Sequence, residues 1–146
     1  MSKPRAEFVG SFLFKGTLTL ALLACGAYEC GTKDDCQPAA PAYVVPTLIF
    51  LLISYLAIPL GADLNAALSM GVWASGNSTL VEMCTKVAAQ CAGVATAMIM
   101  VQALAPVHLL RFAGPPKVPA GIDLTYAWGR EAAITSVFIG IILNAR

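Results

Sequence analysis

Charged residues are scarce in this 146-residue chain: Asp, Glu, Lys and Arg make up 12% of it, and the net charge is +1. No run of Lys or Arg is long enough to hold nucleic acid, so the sequence predicts no nucleic-acid partner. There is one histidine, and the five cysteines lack the CxxC or Cys/His spacing of a metal site. A Ser/His/Asp order and a phosphate-binding glycine loop are missing too. The sequence therefore predicts no metal site and no enzymatic activity.

Hydrophobic residues dominate instead, at 58% of the chain, and the mean hydropathy is +0.76. Four segments have the roughly 20 apolar residues that a bilayer core requires. They lie at about 6–27, 42–60, 81–105 and 124–145. The sequence predicts a single all-α domain over residues 1–146, an integral multi-pass membrane protein with four transmembrane helices. The first segment suits a retained span better than a signal peptide.

The first connection between spans, "YECGTKDDCQPAAPA", is polar and rich in proline, which predicts a loop. Cys25, Cys30 and Cys36 lie in or beside it. A disulfide among these three is left open, because an odd number of cysteines leaves one thiol over.

A polar interruption, "GADLNAALSMGVWASG", follows the second span directly at residues 61–76. Its apolar positions keep helical spacing for about three turns, which is too short to cross a bilayer. The pattern favours a re-entrant half-helix at about 64–75. Asn65 is predicted to cap its first turn.

This interruption resembles the signature G-A-H-x-N-P-A-V-T-x-G of the aquaporin, or major intrinsic protein, family, with Asn65-Ala66-Ala67 in place of Asn-Pro-Ala. The segments "AEFVGSFLF" and "AAQCAGVATA" resemble the first and third spans of that family. Glu131 then begins a second E-x-x-x-[ST] pattern like the one at Glu7, as an internal repeat would. The resemblance implies an all-α membrane protein with four transmembrane helices plus one re-entrant half-helix, an aquaporin-like half fold.

The resemblance also implies roles for individual residues. Asn65, Ala66 and Ala67 correspond to the pore tip, and Glu7 and Glu131 to glutamates that accept hydrogen bonds from half-helix backbone. Gln90 is grouped with these structural polar residues.

Two residues depart from the family's pattern. Asp63 stands where the family has histidine, and we expect it to cap the half-helix, with a cation-binding or selectivity role as the alternative. Lys15 is a charge inside the first span, which either snorkels to the interface or pairs with Glu7 or Glu131.

The sequence ends at Arg146, after the fourth span, and contains no second tip. One copy is therefore not expected to close a pore. The favoured hypothesis is a non-conducting structural or accessory subunit of a larger membrane complex, in an organellar membrane, with other membrane-protein subunits or a second copy and the lipid bilayer as partners. The alternative is a channel for water or a small neutral solute, formed with a second copy or a separate second half. No cofactor is predicted, and contacts with lipid or pigment are left open.

Overall fold

A computed structural model of the chain describes residues 2–31, 36–113 and 121–144, and this part is built from helices. Four of them are long and apolar enough to cross a membrane, as predicted, and their composition suggests a multi-pass membrane protein. The predicted bounds lie within three residues of those observed. The helices are α1 (Lys3–Glu29), α2 (Pro41–Leu60), the short α3 (Ala66–Ala74), α4 (Leu80–Leu104) and α5 (Leu124–Asn144), with a 3-10 segment at Val107–Phe112.

Helices α1 and α4 form the central pair and run parallel, in contact along their length. Gly93 of α4 lies against the backbone of α1, where an added Cβ would collide with the carbonyl oxygen of Phe8. Farther along the pair, Leu23 of α1 and Val101 of α4 share a buried apolar cluster. Close approach of this kind is how small residues stabilise helix pairs where the hydrophobic effect between helices is weak.

Helix α2 changes geometry before it ends. Residues Ile53–Ala57 form a π-helical turn, in which the N–H of Ile58 bonds the carbonyl of Ile53, five residues back. Pro59 follows and lacks an N–H group to continue the ladder. Gly61 then adopts a left-handed conformation, with φ of 62°, and its Schellman-type bonds end the helix. After this helix end the chain turns toward α1.

Helix α5 is the peripheral element, since none of its described residues is buried. It contacts α3 where Gly71 lies against Ile139, whose Cγ2 would be 2.7 Å from a Cβ added at the glycine. Helix α5 therefore leaves most of its surface for lipid or protein.

The first connection is closed by a disulfide between Cys30 and Cys36, whose Cα atoms are 5.4 Å apart. Cys25 remains a free thiol, which settles the pairing that the sequence left open. The Glu29 carboxylate also accepts hydrogen bonds from the backbone N–H groups of Ala39 and Ala40. The end of α1 is thereby tied to the start of α2.

Candidate functional site around the short helix

The loop before α3 is held by one buried carboxylate of α1. The side chain of Glu7 is fully buried, and its two oxygens accept the N–H groups of Asp63 and Leu64 at 2.7 and 3.0 Å. Leu64 has a φ of 53°, a left-handed conformation that costs a non-glycine residue roughly 1–2 kcal/mol. Each bond to a charged acceptor contributes about 1.5–3 kcal/mol, so Glu7 offsets this cost. The Leu64 side chain lies against Gly10, where an added Cβ would overlap it.

A second set of buried bonds joins α4 to α3 and the loop. The Gln90 amide donates to Glu7 Oε2 at 2.9 Å and to Ser69 Oγ at 3.1 Å. The Ser69 hydroxyl in turn donates to Asp63 Oδ2 at 2.9 Å. These four side chains are all buried. The short helix is therefore fixed to both central helices by polar contacts.

A row of alternating charges runs from the surface to this network. Lys3 Nζ, on a 67% exposed side chain, lies 2.8 Å from Glu82 Oε1, which is 3.9 Å from Lys86 Nζ. Lys86 Nζ then lies 2.9 Å from Asp63 Oδ2, on side chains that are 9% and 3% exposed. The two lysines and two carboxylates have formal charges that cancel. The inner pair is thus a buried ion pair, and the outer pair is solvent-accessible.

Asn65 is the residue at which α3 begins. Its backbone is extended, and its side-chain Oδ1 accepts the N–H of Ala67 at 2.9 Å, while Ala66 is the first helical residue. Asn65 thus satisfies this N–H group, while the Asp63 carboxylate accepts the Ser69 hydroxyl and pairs with Lys86. The Asn65 amide nitrogen has no hydrogen-bond partner among the described residues, and Asn65 is exposed.

Asn65 faces a cavity of about 840 Å³, here called the Asn65 cavity. Helices α1 to α5 all contribute to its wall. One set of lining residues is polar and includes the charge row: Lys3, Asp63, Asn65, Asn77, Glu82 and Lys86. The other set is apolar and comes mainly from α2, α3 and α5: Phe14, Ile49, Ile53, Ile58, Leu68, Val72, Phe138 and Ile142. The cavity can therefore hold an amphipathic molecule.

No family model, curated protein or solved structure matches this chain. The resemblance to aquaporins stays a prediction from the short motifs.

Two of the predicted polar residues stand apart from this network. Lys15 is partly exposed on α1, and neither Glu7 nor Glu131 forms an ion pair with it; this alternative is wrong for the described ranges. Glu131 is exposed on α5, and its side chain makes no hydrogen bond or ion pair within the same ranges. The structure therefore joins Glu7, Gln90 and Asp63 directly and places Asn65 beside them.

Sequence reasoning missed Lys86, the buried cation of the site. It lies inside the predicted span 81–105, where a charge signals an interior partner or a cavity. Its position also repeats the buried face of α4, which includes Gln90, Gly93 and Ala97 at helical spacing. This helical spacing is the feature of the sequence from which burial of Lys86 could have been predicted.

Proposed function

We propose that this chain is a non-conducting structural or accessory subunit of a larger membrane complex, with an aquaporin-like half fold in which α3 is re-entrant. One observation carries the proposal: α5 has spanning length, no buried residue among those described and an uncovered stripe of small residues. Ala132, Ser136 and Gly140 lie four residues apart, and a Cβ added at Gly140 would meet nothing within 4 Å. Such small-xxx-small stripes promote close packing between membrane helices. A helix of a partner subunit fits this stripe.

The buried network supports a structural role for the polar residues. Both Glu7 oxygens hold backbone N–H groups, and Asp63 holds a serine and a lysine. These groups stabilise the position of α3 and are already occupied. A structural role therefore accounts for these polar residues in an apolar chain, and no transport function is needed to explain them.

Native purification tests the proposal. The tagged chain, extracted from its own membrane in mild detergent, should co-purify with other membrane subunits at fixed stoichiometry. Gly140→Leu should release these partners because the added side chain blocks close helix approach. Ile134→Phe adds bulk to the opposite face of α5 and should retain them. Recovery of the wild-type chain alone, or equal retention by both variants, would contradict the proposal.

A second candidate function rests on Asn65 itself. Its amide nitrogen is unpartnered among the described residues and adjoins the cavity, as expected of a group that donates to a passing solute. Pairing with a second copy or a separate second half would then form a conduit for water or a small neutral solute. Osmotic shrinkage of reconstituted vesicles separates the two functions. Rapid shrinkage that is lost in Asn65→Leu would favour the channel and end the non-conducting proposal.

A further inference from the structure

The Asn65 cavity has the size of a small-ligand site. Its volume of about 840 Å³ lies within the roughly 300–1,000 Å³ typical of such sites. Two turns of helix, about 11 Å long and about 10 Å across, would occupy about 850 Å³. A spanning helix needs about 20 residues, so the cavity is too small to be the seat of a second copy's helix.

The apolar part of the wall comes mainly from α2 and α5, the two spanning-length helices with the smallest buried share. Ile49, Ile53 and Ile58 come from α2, and Phe138 and Ile142 from α5. Ala57 is the one buried residue that the structure assigns to α2, and α5 has none among those described. An acyl chain could reach this wall from the membrane without crossing a polar layer.

The polar part of the wall selects the headgroup. Lys3 and Glu82 present a cation and an anion at the exposed end of the charge row, and the amides of Asn65 and Asn77 line the same cavity. Because the exposed end of the row carries one charge of each sign, a headgroup that is only anionic would match Lys3 and oppose Glu82. A phosphate beside Lys3 with a quaternary ammonium beside Glu82 would match both signs.

We propose that the Asn65 cavity binds one zwitterionic phospholipid, with its headgroup at Lys3 and Glu82 and an acyl chain between α2 and α5. The proposal rests on the membrane role of the chain but on no protein partner. A bound lipid would cover the polar groups beside α3 that otherwise face an open cavity.

Lipid retention in nanodiscs or mild detergent tests this inference. The full chain is reconstituted with equal amounts of phosphatidylcholine and phosphatidylglycerol and analysed by native mass spectrometry. We expect about one phosphatidylcholine per chain. Ile142→Trp fills the apolar part of the cavity and should lower retention about tenfold or more, whereas Ile141→Trp, on an exposed neighbour outside the wall, should not. Ile53→Trp repeats the test from α2 if the α5 variant fails to fold.

Glu82→Gln tests the headgroup. It changes the charge of the row from zero to +1, so the ratio of phosphatidylcholine to phosphatidylglycerol retained should fall about tenfold. Equal retention in Ile142→Trp and wild type, a wild-type preference for phosphatidylglycerol, or an unchanged ratio in Glu82→Gln would overturn the inference. A wild-type chain that retains its partner subunits but shows no preference for phosphatidylcholine would count against this inference alone. Loss of partners with lipid retained would count against the proposed function alone.

Discussion

Removing the ammonium group of Lys86 would break its buried ion pair with the Asp63 carboxylate beside α3. The two charged atoms are 2.9 Å apart, and both side chains are more than nine-tenths buried. At an effective dielectric constant of about 20, two unit charges at this distance attract by about 6 kcal/mol before desolvation is counted. Breaking a buried pair from one side costs about 3–5 kcal/mol, because the remaining charge stays desolvated. We therefore expect Lys86→Met to lower the free energy of unfolding by about 3–5 kcal/mol.

The double variant separates the ion pair from simple loss of packing. Asp63→Asn with Lys86→Met removes both charges and keeps a side-chain oxygen that can accept the Ser69 hydroxyl. We expect the double variant to be more stable than Lys86→Met alone by about 1–3 kcal/mol, the range of coupling between residues in contact. Lys3→Met is the matched control, because it removes an equal charge from the exposed end of the row. It should leave unfolding nearly unchanged.

Equilibrium unfolding in mixed detergent micelles, followed by helical circular dichroism, supplies the measurement. Expression level is recorded in parallel so that a variant that fails to fold is recognised. Equal losses for Lys86→Met and the double variant would show that the Asp63 charge is not destabilising when the Lys86 ammonium is absent. A Lys86→Met effect no larger than that of Lys3→Met would refute burial of the pair.

The remaining predictions concern helix contact, loop attachment and the disulfide. Gly93→Ala should destabilise the chain by about 1–3 kcal/mol, because the added Cβ meets the α1 backbone. Gly129→Ala adds its Cβ into open space and should be neutral or slightly stabilising. Equal effects of the two variants in thermal unfolding would contradict the contact at Gly93. Glu7→Gln should lower the free energy of unfolding by about 2–3 kcal/mol, because the new amide N–H group would face the N–H groups that Glu7 now accepts. Glu131→Gln is the control and should change stability little. Proteolysis of the loop before α3 should therefore rise in Glu7→Gln alone. Maleimide labelling in denaturant should modify three thiols before reduction and five after it, and five before reduction would exclude the bridge.

The four long helices could be predicted from the sequence because run length and composition alone decide them. An apolar run of about 20 residues has few alternatives to a helix in a membrane, since every backbone group must be bonded within the segment. The short helix is predicted from a different signal. No polar connector separates it from the second span, and its apolar positions keep helical spacing for about three turns. Asn65 could be placed before it because asparagine is a strong N-cap residue.

The charge row could not be predicted in the same way, because its partners come from separate helices. Lys3 and Glu82 are 79 residues apart, and Asp63 and Lys86 are 23 apart. Which side of each helix faces its neighbour depends on how α1 and α4 pack. The sequence marks Lys15 as an unusual charge within a span, yet Lys15 lies on a partly exposed side of α1, while Lys86 faces the interior.

The face of α4 explains why the buried cation lies where it does. The buried positions Lys86, Gln90, Gly93, Ala97 and Val101 recur every three or four residues and form one stripe. Gly93 fixes this stripe against α1 through backbone contact, so the rotation of α4 is set there. Given that rotation, Gln90 and Lys86, one and two turns before the glycine, must also face α1 and the loop. The small residues of the stripe thus determine the helix contact, and the same contact directs its two polar residues to Asp63, Ser69 and Glu7 beneath α3.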